Sequence, residues 1–197
     1  MNERSLKILE EGVGDLLTPI DLEAFRAHNR AKEKGLVDKR MSEKEAIRQF
    51  VNEGDYVGVE LYGTVRCPMS LTRELIRAGY RSLRGVGQGV YESDLFSAAG
   101  SFKALDWTYI GLEVYGVSSS LRRAVESGYV ENIVEWSNAA LAWRFKAAAM
   151  GVPFLPTRSM LGTDTLEYSA AKVVECPFTG EPICLLPALI LDVGVIH

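Results

Sequence analysis

The chain has 197 residues, 47% of them hydrophobic and 24% charged, with 22 basic against 26 acidic side chains and a formal charge of −4. That length supports one sizeable core and that composition is ordinary for a globular protein, which excludes a disordered or fibrous chain. Mild acidity without a long basic run argues against a nucleic-acid partner, and three cysteines are too few for a disulfide framework, which suits a reducing cytoplasm.

Residues 1–40 are polar and helix-prone, with Leu22 and Phe25 as a thin apolar stripe among mixed charges, so a helical N-terminal arm is expected there. The first ten residues carry Glu3, Arg4, Lys7 and Glu10, and no run of about 18 apolar residues occurs, so neither an export signal nor a membrane span is expected. The compact domain is expected over residues 41–197. Ser42 and Glu45 form a capping box ahead of Ile47, Phe50 and Val51, which predicts a short amphipathic helix. A strand is predicted over 56–61, and after a loop Pro68 opens a helix whose apolar face is Met69, Leu71, Leu75 and Ile76.

A strand at 82–86 runs into Gly85, Gly87 and Gly89, a glycine-rich loop that would let a ligand or a neighbouring backbone come close. A helix over 93–99 closed by Gly100 follows, then a strand over 107–114, a helix over 121–127 ending at Gly128, and a strand over 130–134. Ser137 or Asn138 caps the longest helix, which passes Leu141, Trp143, Phe145 and Met150 and stops at Gly151; its alanines predict close packing on a sheet. Cys176 and Cys184 flank a segment with Pro and Gly that reads as a hairpin turn, and no further ligand stands near them to make a zinc site, so no metal is expected. Residues 188–196 read as a strand with no helix to cover it, the pattern expected of a chain cut short at its C-terminus.

Strands alternating with helices imply a doubly wound α/β fold, with a mainly parallel sheet and helices on both faces. Ligands of such sheets sit outside the carboxyl ends of the strands, here the loops at 62–68, 87–93, 115–120 and 135–138. Histidine-based catalysis is set aside, because the two histidines are His28 in the arm and His197 at the end.

The sharpest signal is the run from Asn52 to Met69, in which Glu60-Leu61-Tyr62-Gly63-Thr64-Val65-Arg66-Cys67-Pro68 leads from strand to helix. With Glu135-Trp136-Ser137-Asn138, Gly151-Val152-Pro153-Phe154-Leu155-Pro156-Thr157-Arg158-Ser159 and Leu191-Asp192-Val193-Gly194-Val195-Ile196-His197, it resembles the A-type (α) subunit of family I coenzyme A-transferases, most of all the glutaconate branch. The resemblance covers roughly residues 41–197. Two departures stand out: Glu60-Leu61 replaces the family's glycine pair, and Arg66 stands where many members have glycine. A side chain at those positions narrows the approach of backbone N–H groups to a thioester.

The site residues are read as follows. Glu60 is either a buried acid with a catalytic role or the partner of a neighbouring cation. Arg66 offers a guanidinium for a substrate carboxylate, with a structural ion pair as the alternative. Tyr62 and Gly63 are candidates for the acyl site, Tyr62 by stacking or hydrogen bonding unless it is a core or rim residue. Ser137 and Asn138 cap their helix and present its N-terminus to an anionic group. Gly87, Gly89, Arg158 and Ser159 are candidates for contact with the coenzyme, and Arg158 and Ser159 suit a subunit interface as well.

In the family, the nucleophile is a glutamate carboxylate on the B-type (β) subunit. It attacks the acyl-CoA carbonyl to give an anhydride, then becomes a glutamyl-CoA thioester that a second carboxylate discharges. The resemblance therefore implies that no nucleophile lies in this chain and that a B-type partner, in an α2β2 or larger assembly, supplies it. It implies no tightly bound cofactor, with coenzyme A entering as part of the substrate. A hydrolase of the same fold and a non-catalytic acyl-CoA-binding module are the alternatives.

Overall fold

The predicted alternation of strands and helices is present in the computed structural model, which describes residues 6–60 and 64–197. In chain order the first elements are β1 (Ile8–Glu11), α1 (Leu22–Ala31), α2 (Glu43–Phe50), β2 (Tyr56–Val59), α3 (Met69–Ala78), β3 (Leu83–Gly89), α4 (Tyr91–Ala99) and β4 (Phe102–Ile110). A turn of 3-10 helix at Glu113–Tyr115 precedes α5 (Ser119–Glu126), β5 (Asn132–Glu135), α6 (Asn138–Met150), β6 (Phe154–Thr157), α7 (Asp164–Glu167), β7 (Lys172–Glu175), β8 (Pro182–Pro187) and β9 (Val193–Val195). These elements form two units, one made of the described residues up to Ala27 with Val134–Ile190, the other of His28–Ile133 with Leu191–His197.

The α/β sheet has the order β5-β4-β3-β2-β9, with β2 parallel to both β3 and β9 and β3 parallel to β4; β2, β3, β4 and β9 belong wholly to the second unit, and the unit boundary falls within β5. Ser42 caps α2 through the predicted box, its side chain accepting from the Glu45 N–H while Glu45 reaches back to the Ser42 N–H. That geometry aims Ile47 and Val51 at the sheet, where they join Val57, Leu75, Leu83, Phe96, Phe102 and Val195 in one buried cluster. Each such side chain, fully buried, stabilises the fold by about 1.5–3 kcal/mol. Pro68 stands at the N-cap of α3 rather than in its first turn, and Gly100 turns into the left-handed region at φ 66° to end α4, as read from the sequence.

The glycine-rich segment departs from expectation. Gly85, Gly87 and Gly89 lie within β3, not in a loop, because β3 is an inner strand whose backbone is paired with β2 on one side and β4 on the other. β4 starts five residues earlier than predicted and ends at Ile110, so Glu113 falls in the turn beyond it, with a left-handed φ of 53°.

The other unit contains an antiparallel sheet that the sequence did not announce, in the order β1-β7-β8-β6. The hairpin between Cys176 and Cys184 is its centre, joining β7 to β8. Residues 8–11, expected within a helical arm, instead form edge strand β1, tied to β7 by backbone pairing and by the Lys7–Glu175 (2.8 Å) and Lys172–Glu11 (2.7 Å) ion pairs; residues 22–31 are helical as read. Pro156 falls in β6, the opposite edge, where a strand tolerates the loss of a donor. The alanines of α6 act as predicted: Ala147 and Ala148 pack against Ala188, with Leu155 and Ile190 beside them. Among the described residues, no helix is long and apolar enough to cross a membrane.

Candidate functional site

The order β5-β4-β3-β2-β9 has one reversal. From β2 the chain steps outward through β3, β4 and β5, whereas β9 is added on the other side of β2. In an open parallel sheet such a switch point, at the carboxyl ends of the strands, is where a crevice for ligand opens. Glu60 stands there, directly after β2. Its N–H donates to the Val195 carbonyl (2.8 Å), and its carboxylate accepts the His197 N–H (2.9 Å) while the Arg66 guanidinium lies 3.4 Å away. Of the two readings of Glu60, the structure therefore displays the one in which it faces a cation. Its side chain is 23% exposed against 57% for Arg66, so Arg66 is the half of the pair that meets solvent. A substrate carboxylate reaching Arg66 would share or displace the Glu60 contact. Tyr62 and Gly63 lie outside the described residues.

The carboxyl end of β3 lies beside that of β2. At Gly87 an added Cβ would meet nothing closer than the Val59 carbonyl at 3.7 Å, so its lack of a side chain is not demanded by packing. At Gly89 it would fall 2.0 Å from Ser93 Oγ, so glycine there lets Ser93 turn in beneath β3. Ser93 and the Val90 N–H both donate to Glu92 Oε1 (3.4 and 3.1 Å). Glu92 is only 3% exposed, and its Oε2 has no hydrogen-bond partner among the described residues. Burial raises its pKa above the usual carboxylate range, against the opposing pull of those hydrogen bonds. A cavity of about 30 Å³ adjoins it, walled by Val86, Gly87, Ser93, Asp106 and Trp107. Asp106, 2% exposed, accepts a hydrogen bond from the Tyr56 hydroxyl. Burial, with Glu92 nearby, also pushes the Cys67 thiol up, which makes it a poor nucleophile.

The remaining candidates belong to the other unit. Ser137 is the N-cap of α6, its Oγ accepting the Ala140 N–H (3.1 Å), and Asn138 is the first helical residue and exposed. The cap matches the sequence reading, and α6 begins two residues beyond the end of β5 with Asn138 and Ala139 exposed and Ala140 and Leu141 buried, its N-terminus carrying a partial positive charge. Arg144, on the same helix, is buried over the Trp136 ring (3.9 Å) and donates to the Pro187 carbonyl (3.0 Å). Arg158 and Ser159 are exposed, and Ser159 is fastened to the buried Thr157 through its N–H (3.0 Å) and its hydroxyl (3.1 Å).

Sequence reasoning passes over Glu92 and Asp106. Asp106 has a legible signal, an acid in the middle of the apolar strand Phe102–Ile110. Glu92 has none, because a carboxylate in the first turn of a helix is ordinary on dipole grounds and only tertiary packing buries it. Among the described residues, no group of three or more His, Cys, Asp or Glu is placed to hold a metal ion.

Comparison with known proteins agrees with this architecture. The family profile for coenzyme A transferase matches residues 40–197. An uncharacterized protein of Archaeoglobus fulgidus is 44% identical over 195 residues, 98% of this chain and 44% of its own length. The A-type subunit of 3-oxoadipate CoA-transferase from Pseudomonas knackmussii is 37% identical over 160 residues, 78% of this chain and 56% of its own. The crystal structure of glutaconate coenzyme A-transferase from Acidaminococcus fermentans superposes with a TM-score of 0.76 at 27% identity, covering 81% of this chain and 56% of that one. The chain thus spans about half the length of the curated relatives it matches.

Proposed function

The chain belongs to the coenzyme A transferase family, and on that premise we propose that it is the A-type subunit of a heteromeric enzyme that moves coenzyme A between an acyl thioester and a carboxylic acid. The observation that carries this reading is the match of most of the chain to the A-type subunit of 3-oxoadipate CoA-transferase. The reading places the enzyme in the cytoplasm and assigns the nucleophilic glutamate to a B-type partner. That glutamate attacks the thioester carbonyl, releasing coenzyme A thiolate and forming an anhydride; the thiolate then attacks the glutamyl carbonyl, releasing the acyl group as a carboxylate. The acceptor carboxylate reverses the two steps and leaves with the coenzyme.

In this scheme the chain's own residues bind and orient. Arg66 takes a carboxylate of a dicarboxylic acyl group or acceptor, with Glu60 holding the guanidinium in place between turnovers. Tyr62 and Gly63 complete the acyl site. The N-terminus of α6, at Ser137 and Asn138, supplies N–H groups to developing negative charge, which matters because a carboxylate is a weak nucleophile. Gly87 and Gly89 in the one unit and, separately, Arg158 and Ser159 in the other are candidates for contact with the coenzyme. Loops beyond the strands of the α/β sheet carry exposed apolar side chains, Val65 (70%), Val114 (88%) and Val117 (73%), which suits a surface that a partner chain covers.

The test is to purify the full-length protein with a B-type subunit of the same genome and supply acyl-CoA with and without a carboxylate acceptor. Acceptor-dependent exchange, with a thioester on the partner's glutamate trapped by borohydride, is the expected result. Release of free coenzyme A without acceptor would identify a hydrolase instead, and acyl-CoA binding without turnover a non-catalytic binding module.

A further inference from the structure

The amino ends of β3 and β4 carry a feature that the proposed function leaves unused. Arg81 stands two residues before β3 and Gly100 two before β4, while Ser120 and Arg123 lie on α5 and Tyr129 follows it. These residues line one open groove of about 650 Å³, within the size range of small-molecule sites and wholly inside the second unit. Because β2, β3 and β4 are parallel, the groove lies at the opposite strand ends from Glu60 and Arg66. No carboxylate lines it, and neither Arg81 nor Arg123 makes an ion pair among the described residues, in contrast to Arg77, Arg84 and Arg122, which face Glu74, Asp192 and Glu126. Both guanidiniums are nonetheless held, Arg81 by donating to the Ala99 carbonyl and Arg123 by donating to the Ser120 hydroxyl (3.3 Å). Each commits only part of its donor set in this way. Glu53 interacts electrostatically with Arg81 but stands off the groove wall, its carboxylate accepting from the Arg81 N–H (2.7 Å) and the Ser82 hydroxyl (2.7 Å).

We propose that this groove is a binding site for a phosphate-bearing small molecule, whose phosphate oxygens Arg81 and Arg123 clamp between them. The planar fork of a guanidinium matches phosphate geometry, and the groove is larger than a bare phosphate fills, so an organic phosphate of nucleotide size is the occupant. The carboxyl end of a helix ordinarily disfavours an anion, because its last carbonyls carry partial negative charge. Here those carbonyls are engaged: Ala99 by Arg81, Gly100 by the Tyr129 hydroxyl, and Ala124 by the Ser127 hydroxyl (3.2 Å). The small side chains of Ala98 and Ala99 on the same wall leave the ligand room to approach. The site is separate from the crevice assigned to the acyl thioester and does not rest on the proposed function.

Calorimetric titration of the full-length protein with ADP, and in a second arm with inorganic pyrophosphate, tests the site. ADP is expected to bind, more tightly than pyrophosphate, and Arg81→Gln and Arg123→Gln are each expected to weaken its binding about tenfold or more. Arg122→Gln alters the neighbouring arginine, which is off the groove and paired with Glu126, and should leave ADP binding unchanged. That control separates a clamp from general attraction of charge. A crevice elsewhere that also takes ADP would be insensitive to Arg123. Should Arg81→Gln fail to fold for want of its tie to Ala99, Arg123→Gln decides alone, since Arg123 is exposed and its fold is checked by thermal denaturation. No ADP binding, binding indifferent to Arg123→Gln, or an equal loss in Arg122→Gln overturns the proposal. Pyrophosphate bound as tightly as ADP overturns the nucleotide-sized occupant.

Discussion

The hydroxyl of Tyr56 on β2 donates to the carboxylate of Asp106 on β4, reaching across the intervening β3, with both side chains almost wholly buried. The contact ties three parallel strands together on one face and gives a buried acid a donor. Removing a donor from a buried acceptor typically costs about 1–3 kcal/mol, because the acceptor keeps its desolvation penalty. Tyr56→Phe, which preserves the ring and its packing, is therefore expected to lower unfolding free energy by that amount in urea titrations. A change below about 0.5 kcal/mol would show that the remaining partners of Asp106 suffice.

Arg66 can be tested for the role its exposure suggests. An exposed ion pair contributes roughly 0–1 kcal/mol, so Arg66→Gln should leave stability almost unaltered. A bidentate contact to a substrate carboxylate is worth about 1.5–3 kcal/mol, so the same variant should raise KM for a dicarboxylic acceptor about tenfold or more, with little effect on a monocarboxylic one. Steady-state kinetics on the two acceptors separates the cases. Equal KM changes for both acids, or none, would return Arg66 to a structural partner of Glu60.

How much is legible in the sequence depends on where the determining forces lie. Capping is local, and the box at Ser42 and Glu45, the Ser137 cap and the glycine ends at Gly100 and Gly151 all match the sequence reading. Strand β1 does not, because Ile8–Glu11 has no alternation and is a strand only because β7 offers its backbone. The glycines of β3 mislead for a related reason: Gly85 has no side chain because Leu105 and Phe102 press against it, a fact of packing rather than of turn chemistry. For the candidate site, the sequence singles out the loop between β2 and α3 and offers an ion pair as the alternative reading of Glu60 and of Arg66, but that the two face each other is visible only in the structure, and Glu92 acquires its character only when α4 is laid against the sheet.

Ser137 fixes where α6 begins. Ser137→Ala removes the acceptor for the Ala140 N–H and is expected to cost about 0.5–2 kcal/mol, and Ser137→Asp, which keeps a cap, much less. If the N-terminus of α6 also serves an anionic group, Ser137→Asp should lower kcat/KM while preserving stability, because a fixed negative charge then competes for the same N–H groups. Thermal denaturation and kinetics on the two variants distinguish the roles; full activity in Ser137→Asp would confine Ser137 to capping.

Burial of Glu92 also makes stability depend on pH in a direction that can be worked out. Its folded pKa is raised above the ordinary value of about 4.5, chiefly by desolvation. In the unfolded chain the group titrates near its ordinary value, so between that value and the folded one the native state binds more protons than the unfolded state. The contribution of the neutral acid is therefore fully present below the unfolded pKa and is lost as pH rises through the folded pKa. Glu92→Gln carries an uncharged amide of the same shape and has no such linkage. The difference in unfolding free energy, variant minus wild type, is expected to grow more positive from about pH 4 upward and to level off once the folded carboxyl has ionised. Urea midpoints of the two proteins across that range measure it. A difference that stays flat, or that shrinks as pH rises, would mean that Glu92 is charged in the native protein, and the cavity beside it would then face an acceptor rather than a donor.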